Sequence, residues 1–180
     1  MTDPRITVRP VEPRDAPLLQ LWRSEASVRR HQPLAPFTTG ELRAEISSRR
    51  HNDLWTERGG RFDWIVEVDG RPAGWITLVV HSWDHGLAEW GYALSTAYQG
   101  RGIMRRALDR VLPDLFERTS LYRIEARCSV DNIASQKVLE HLGFVREGRL
   151  RGYFFLDGKR VDNYLYALTR EDREESGPPG

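Results

Sequence analysis

Cysteine is almost missing from this chain: 180 residues contain one, Cys128. A single thiol excludes an internal disulfide framework and a cysteine-cluster metal site. Cys128 sits in an apolar, strand-like run, where a buried, inert thiol is expected. An excess of either charge is missing too. The 27 Lys and Arg nearly balance the 26 Asp and Glu, leaving +1, so nothing drives the chain globally toward nucleic acid or an anionic membrane. No apolar run approaches the ~20 residues that span a bilayer, and the first residues carry no apolar signal core. A cytoplasmic location is the default expectation. Internal repeats and low-complexity tracts are also missing. His31, His81 and His85 are not spaced as a metal set, so no metal is expected and these read as solvated loop histidines.

What is present suits one globular domain. Hydrophobic residues make up 39% and charged residues 29%, and the length allows a real core. Ile6–Pro10 alternates as a first strand. Arg14–Ala26 has helical spacing, with Leu18, Leu19, Leu21 and Trp22 on its apolar side. The two prolines in 28–37 mark a loop. Thr39 is placed to cap a second helix, with Glu41 near its start and Arg49 and Arg50 at its end. After a polar connector, 51–60, the stretches 61–68 and 71–80 flank Asp69-Gly70 as a hairpin. A loop, 81–86, leads to a fourth strand, 87–95. A glycine turn opens a third helix from Ile103, where Pro113 predicts a kink or early fraying. Residues 121–129 form a fifth strand. Asp131 or Asn132 caps a fourth helix, which Gly143 ends. A closing hairpin, 144–168, turns at Asp157-Gly158. Residues 1–169 thus form one domain and 170–180 a charged, flexible tail. The element order predicts an α/β fold, a mixed sheet of seven strands with four helices on both faces.

The chain is organised around 91–108. Gly100 and Gly102 permit a tight turn and close approach of backbone to a ligand. A turn that feeds a helix presents unpaired N–H groups and the positive dipole end to phosphate, and Arg101, Arg105 and Arg106 add charge. The dinucleotide fingerprint is excluded, because Arg105 stands where its third glycine belongs. No Walker run exists. Two motifs then carry a resemblance. Gln99-Gly100-Arg101-Gly102-Ile103-Met104 resembles the acetyl-CoA pyrophosphate loop of the GNAT superfamily of N-acetyltransferases. Asn132 through Leu142-Gly143-Phe144 resembles its second motif. The similarity spans about residues 6–168 and is closest to the branch that acetylates N-termini of ribosomal proteins. Met104, where most members carry Gly or Ala, reads as a mark of that branch.

The resemblance implies a mostly antiparallel sheet splayed between its fourth and fifth strands, with the pantetheine arm of acetyl-CoA in the gap. It implies that Tyr92, Ala93, Leu94 and Ser95 offer a strand edge, with a main-chain N–H near Leu94 as oxyanion donor. By the same carry-over, main-chain groups of Gly100, Gly102, Ile103, Met104 and Arg105, within the loop from Gln99 that includes Arg101, hold the pyrophosphate. Asn132 faces the cofactor or simply caps its helix, and Lys137 reaches toward the adenosine phosphates. For the base, Glu89 shares a face with position 91, although a lone strand Glu can equally face solvent. A tyrosine common on the fourth helix is replaced by Leu139. Ser135 is the nearest polar substitute as proton donor; it can equally satisfy the helix backbone, with solvent in its place. Arg149, Arg151, Lys159 and Arg160 make the closing hairpin basic, either solubilising the surface or receiving an acidic substrate. Trp83, Trp90, Tyr153 and Phe154 are candidates for groove walls or core.

Three activities fit these motifs. The first is acetyl transfer to a primary amine, with an N-terminal α-amine favoured because its pKa of ~7.7–8.0 lies below the ~10.4 of lysine and asks less of a base. The second keeps the enzyme but uses succinyl or another acyl donor, or a small amine or antibiotic as acceptor. The third is a non-catalytic acyl-CoA-binding module. The related branch is often dimeric, which makes a homodimer plausible.

Overall fold

The computed structural model describes residues 3–176. In chain order the elements are β1 (Ile6–Pro10), α1 (Ala16–Ser24), α2 (Ala26–Arg29), α3 (Thr39–Ser48), β2 (Arg61–Val68), β3 (Arg71–Ser82), β4 (Leu87–Leu94), α4 (Ile103–Arg118), β5 (Arg123–Ser129), α5 (Ile133–His141), β6 (Val145–Leu156), β7 (Lys159–Thr169) and α6 (Arg170–Ser176). The strands form one seven-stranded sheet in the order β1-β2-β3-β4-β5-β7-β6. Every pairing is antiparallel except β4 with β5. Asp69 and Gly70 have φ of 50° and 75°, and Asp157 and Gly158 have 47° and 77°. Both tight turns thus take the left-handed pair that suits the twist of a hairpin.

Alternation along the strands feeds two cores. Val66, Ile76, Trp90 and Ile124 join the buried stripe of α4, with Leu139 of α5, on one face. Ile65 and Trp75 meet Leu19, Trp22, Leu42 and Ile46 of α1 and α3 on the other. The two indoles of Trp22 and Trp75 stack at 6.4 Å.

Several expectations need correction. The helix expected over 14–26 breaks at Glu25, whose backbone is extended. Its carboxylate is drawn to the Thr96 N–H at 2.6 Å and the Ser95 hydroxyl at 3.0 Å, which turns the chain there. A single turn, α2, follows. Thr38, not Thr39, caps α3, in a reciprocal capping box with Glu41. Pro113 does not end the helix: α4 runs through it to Arg118, with buried Leu112, Leu115 and Phe116 on either side. The expected tail starts as a helix, α6. Asp172 accepts from the Thr169 N–H at 2.9 Å, and Arg170 donates to the carbonyls of Phe116, Thr119 and Leu121, fastening this segment to the end of α4. The remainder of the tail, 177–180, lies outside the described residues.

Arg9 ties β1 to the turn before α1. It grips the buried Asp15 carboxylate with two bonds of 2.8 Å and reaches Glu67 at 2.8 Å. Burial alone would raise the Asp15 pKa, but the bonds from Arg9 and from the Glu12 amide outweigh it and hold the carboxyl below its ordinary 3.8. A depressed carboxylate stabilises the fold above its unfolded pKa, and that contribution is lost as pH falls through the folded value. Asp15→Asn is therefore expected to lose about 2 kcal/mol at pH 7 and to show a flatter decline than wild type below pH ~4, measured by urea unfolding across pH. Parallel acid limbs in the two proteins would contradict this.

Gly74 fixes how closely β3 and β4 approach. A β-carbon there would collide with the Ala93 carbonyl oxygen and lie 2.8 Å from the Leu94 Cα. Gly74→Ala should cost about 1–3 kcal/mol, read as a lower urea midpoint with an unchanged m-value. An unchanged midpoint would show that β4 has room to move.

Candidate active site

β4 and β5 run parallel for only three pairs, Leu87 with Arg123, Ala88 with Ile124 and Glu89 with Glu125. β4 stays on β3 up to Leu94, and β5 stays on β7 up to Ser129. Past Glu89 the two neighbours part, and a groove of about 690 Å³ fills the gap. Alternation shows which main-chain groups face it. The Ser95 N–H donates to the Ala73 carbonyl on the β3 side, so positions 91, 93 and 95 are turned to β3, and 90, 92 and 94 to the gap. Two carbonyls there are already engaged: Gln32 Nε2 donates to Tyr92 at 3.1 Å and Gln99 Nε2 to Leu94 at 2.8 Å. The N–H groups of Tyr92 and Leu94 face the same way.

At the far end lies the glycine turn. Gly100 and Gly102 have φ of 73° and 68°, and a β-carbon on either would meet nothing within 4 Å. The first bond of α4 runs from the Arg106 N–H to the Gly102 carbonyl. The amides of Ile103, Met104 and Arg105 therefore have no partner within the helix and stand at its positive end. Arg105 contacts His141 Nε2 at 2.7 Å, whereas Arg106 is turned away onto Asp3 and the Pro4 carbonyl.

A family profile described as an acetyltransferase (GNAT) domain matches residues 5–145. The chain belongs to the GNAT acetyltransferase family. It is thus an N-acetyltransferase of the acyltransferase class. It is 31% identical to the uncharacterized N-acetyltransferase p20 of Bacillus licheniformis, over 93% of this chain and 94% of that one. It is 29% identical to the spermidine N(1)-acetyltransferase of Escherichia coli K12, over 86% and 80%. It is also 29% identical to the putative ribosomal N-acetyltransferase YdaF of Bacillus subtilis 168, over 94% and 93%. The solved structure of Mycobacterium smegmatis RimJ in complex with CoA-disulfide superposes with a TM-score of 0.79 at 28% identity, covering 93% and 83%.

Within this GNAT fold most of the residues singled out from the sequence line the one groove: Glu89, Tyr92, Ala93, Leu94, Gln99, Gly100, Gly102, Ile103, Met104, Arg105, Asn132, Ser135 and Lys137. Ser95 and Arg101 do not. The Ser95 side chain is engaged by Glu25, and Arg101 is exposed outside the lining. Asn132 is both lining and cap, accepting from the Ser135 N–H at 3.2 Å.

Two clusters in the groove have chemistry to offer. Near the splay point Glu89 is ion-paired with Arg127 of β5, and His81 Nε2 lies 3.5 Å from the same carboxylate. Arg127 also sits 5.6 Å over the Tyr153 ring. His81 therefore belongs to β3 and not to a loop, and it joins this cluster while staying exposed to solvent. Deeper in, the Tyr92 hydroxyl is 2.9 Å from Ser135 Oγ. Burial, against the Ser135 hydrogen bond, pushes the Tyr92 phenol well above its ordinary range, so it stays protonated. Leu139, where the family tyrosine is missing, is buried. A phenol arrives instead from β4. Cys128 lines the same groove, and burial raises its thiol. Trp90 stacks on Phe144 at 5.2 Å and closes one wall. Trp83 lies elsewhere, donating to the Gly59 carbonyl.

Arg127, Gln32 and His31 line the groove without any mark in the sequence that singles them out. Arg127 depends on the Glu89–Glu125 register, which no local pattern encodes. Gln32 and His31 come from a loop whose path is set by tertiary contact. His31 lines the groove with a buried Nδ1 that has no hydrogen-bond partner among the described residues. Burial, then the nearby Arg30, lowers its pKa below 6.5 against the pull of Asp131. Among the described residues no group of three His, Cys, Asp or Glu could hold a metal ion, and no helix is long and apolar enough to cross a membrane.

Proposed function

We propose that this chain transfers the acetyl group of acetyl-CoA to the α-amine of a protein N-terminus. The observation that carries this is the splayed groove itself: free β4 amides at one end, free α4 amides over two left-handed glycines at the other, and the Glu89 carboxylate lining it at the splay point. The CoA moiety fits that set. The Tyr92 and Leu94 amides offer an extended edge to the amides of pantetheine, and the amides of Gly102 to Arg105 with Lys137 offer donors to the phosphates. Bound there, acetyl-CoA supplies the activated acyl group. The Leu94 N–H is free to stabilise the thioester oxygen as charge develops on it.

The attacking amine must lose a proton and the departing thiolate must gain one. Glu89 takes the first through water, since Arg127 occupies its direct approach, and His81 passes it to solvent. Tyr92, held by Ser135, donates the second. The acceptor follows from charge. Two relatives at the same identity bear names pointing to a ribosomal protein and to spermidine. With Arg105 and Lys137 at the phosphate end, the charged residues left in the groove lining are Arg30, Arg127 and one carboxylate, Glu89, and Arg127 pairs with Glu89 and also with Glu125 beyond the lining. A polycation finds no complementary charge there, whereas an N-terminus followed by acidic residues does.

Calorimetry should detect CoA binding to the wild type. Gly102→Val should weaken it about tenfold or more, because a β-carbon at φ 68° costs about 1–2 kcal/mol and the added methyls stand in the phosphate cradle. No heat of CoA binding by the folded wild type would remove the proposal. In a thiol-release assay with an N-terminal peptide, Glu89→Gln should lower turnover about 100-fold near pH 7, with CoA affinity retained. The deficit should shrink toward pH 9, where bulk solvent deprotonates the α-amine. Wild-type turnover in the variant at every pH, or faster acetylation of spermidine than of the peptide, would refute the assigned base or the assigned acceptor respectively.

A further inference from the structure

On the opposite side of the sheet from the glycine turn, a cavity of about 130 Å³ lies between α1, α3 and the β2–β3 pair. Its walls are half apolar, from Leu19, Phe37, Leu42, Ile46 and Trp75, and half charged, with three arginines among the lining residues, Arg23, Arg49 and Arg61. Only two carboxylates face them. Asp63 is gripped by Arg49 at 2.5 Å and by Arg61 at 3.1 Å, and Glu45 lies 3.7 Å from Arg49. That leaves one positive charge over, and it falls on Arg23. Arg23 has no carboxylate within ion-pair distance among the described residues. It donates to the Ala35 carbonyl at 3.2 Å and rests 5.3 Å over the Phe37 ring. Its Nε is buried with no partner.

A half-buried guanidinium with no carboxylate partner and one buried, unused N–H donor carries a cost, and a carboxylate is the group that its geometry best accepts. We infer that this cavity is a binding site for a short-chain monocarboxylate, its carboxylate on Arg23 and its alkyl body against Leu42, Ile46 and Trp75. Charge selects a monoanion, since a phosphate dianion would overshoot the single surplus positive charge. Volume selects the body: an apolar cavity of about 150 Å³ holds benzene, so three or four carbons fit here. Burial and the like charge of Arg61 already depress the Arg23 cation against the weaker pull of Glu45 and Asp63, and a bound anion would relieve both. The site is separate from the acetyl-transfer groove but joined to it by one segment. Arg23 holds Ala35 and Phe37, while Arg30 to Leu34 of the same loop line the groove.

The probe is sodium butyrate, compared with sodium chloride at equal ionic strength. Near-saturating butyrate should raise the wild-type melting temperature by about 3 °C or more above the chloride control, and Arg23→Met should show no such rise. A second readout uses wild-type protein alone: in methyl NMR, butyrate should shift Leu42 and Ile46 and leave Ile103, in the groove, unmoved. No rise over chloride, an equal rise in a folded Arg23→Met, or shifts at Ile103 in place of Leu42 and Ile46 would each overturn the site. If Arg23→Met does not fold, the methyl shifts decide.

Discussion

The parting of β4 from β5 is the constraint on which the rest depends. Three parallel pairs hold the strands at Leu87 to Glu89, and after that each is claimed by its other neighbour. The opening is propped on the apolar face. Trp90, the first β4 residue beyond the last pair, stacks on Phe144, which follows α5. The stacked indole and phenyl ring tie β4 beyond the last pair to the end of α5, whose Leu139 is part of the same core.

An opened sheet leaves main-chain polar groups that water or side chains must satisfy. Here they are met selectively. Gln32 and Gln99 cover carbonyls of Tyr92 and Leu94, leaving the neighbouring N–H groups available. A site for an extended, amide-bearing ligand needs that asymmetry, because donors are what a thioester carbonyl and a pantetheine carbonyl require. The same side chains tie distant segments to the groove. Gln99 also reaches Ser27, and Glu25 holds Ser95 and Thr96. The α1–α2 junction and α2 are thereby fixed against the end of β4, while Gln32 ties the loop that follows α2 to Tyr92.

Much of the fold was legible because its signals are local. Alternation and the Asp-Gly pairs located the hairpins, and the apolar stripe located α4. The lapses have physical causes. Glu25 breaks the first helix because of a carboxylate–amide contact with residues seventy positions away. Pro113 does not end α4, since buried neighbours on both sides hold the helix down. At the site, the glycine turn was readable since φ near +70° at Gly100 and Gly102 demands that residue type. Arg127 was not, since its place beside Glu89 follows from a parallel register. Nor was the Tyr92–Ser135 pair, which joins a strand to a helix across the gap.

This difference divides the groove into two kinds of recognition. The end proposed for phosphate offers main-chain amides, and a backbone that must adopt a left-handed turn marks its sequence with glycine. The end proposed for the acceptor offers side chains brought from β3, β4, β5 and the α2–α3 loop. Each of these residues is locally unremarkable: a strand Glu, a strand Arg, a loop Gln. Their meaning arises from the charge they sum to once assembled, with one carboxylate neutralised by its partner and further cations around it. A division of that kind, main-chain donors for the cofactor and side chains for the acceptor, would let acceptors change while the cofactor groove stays, and 29% identity to two enzymes with differently named substrates is compatible with it.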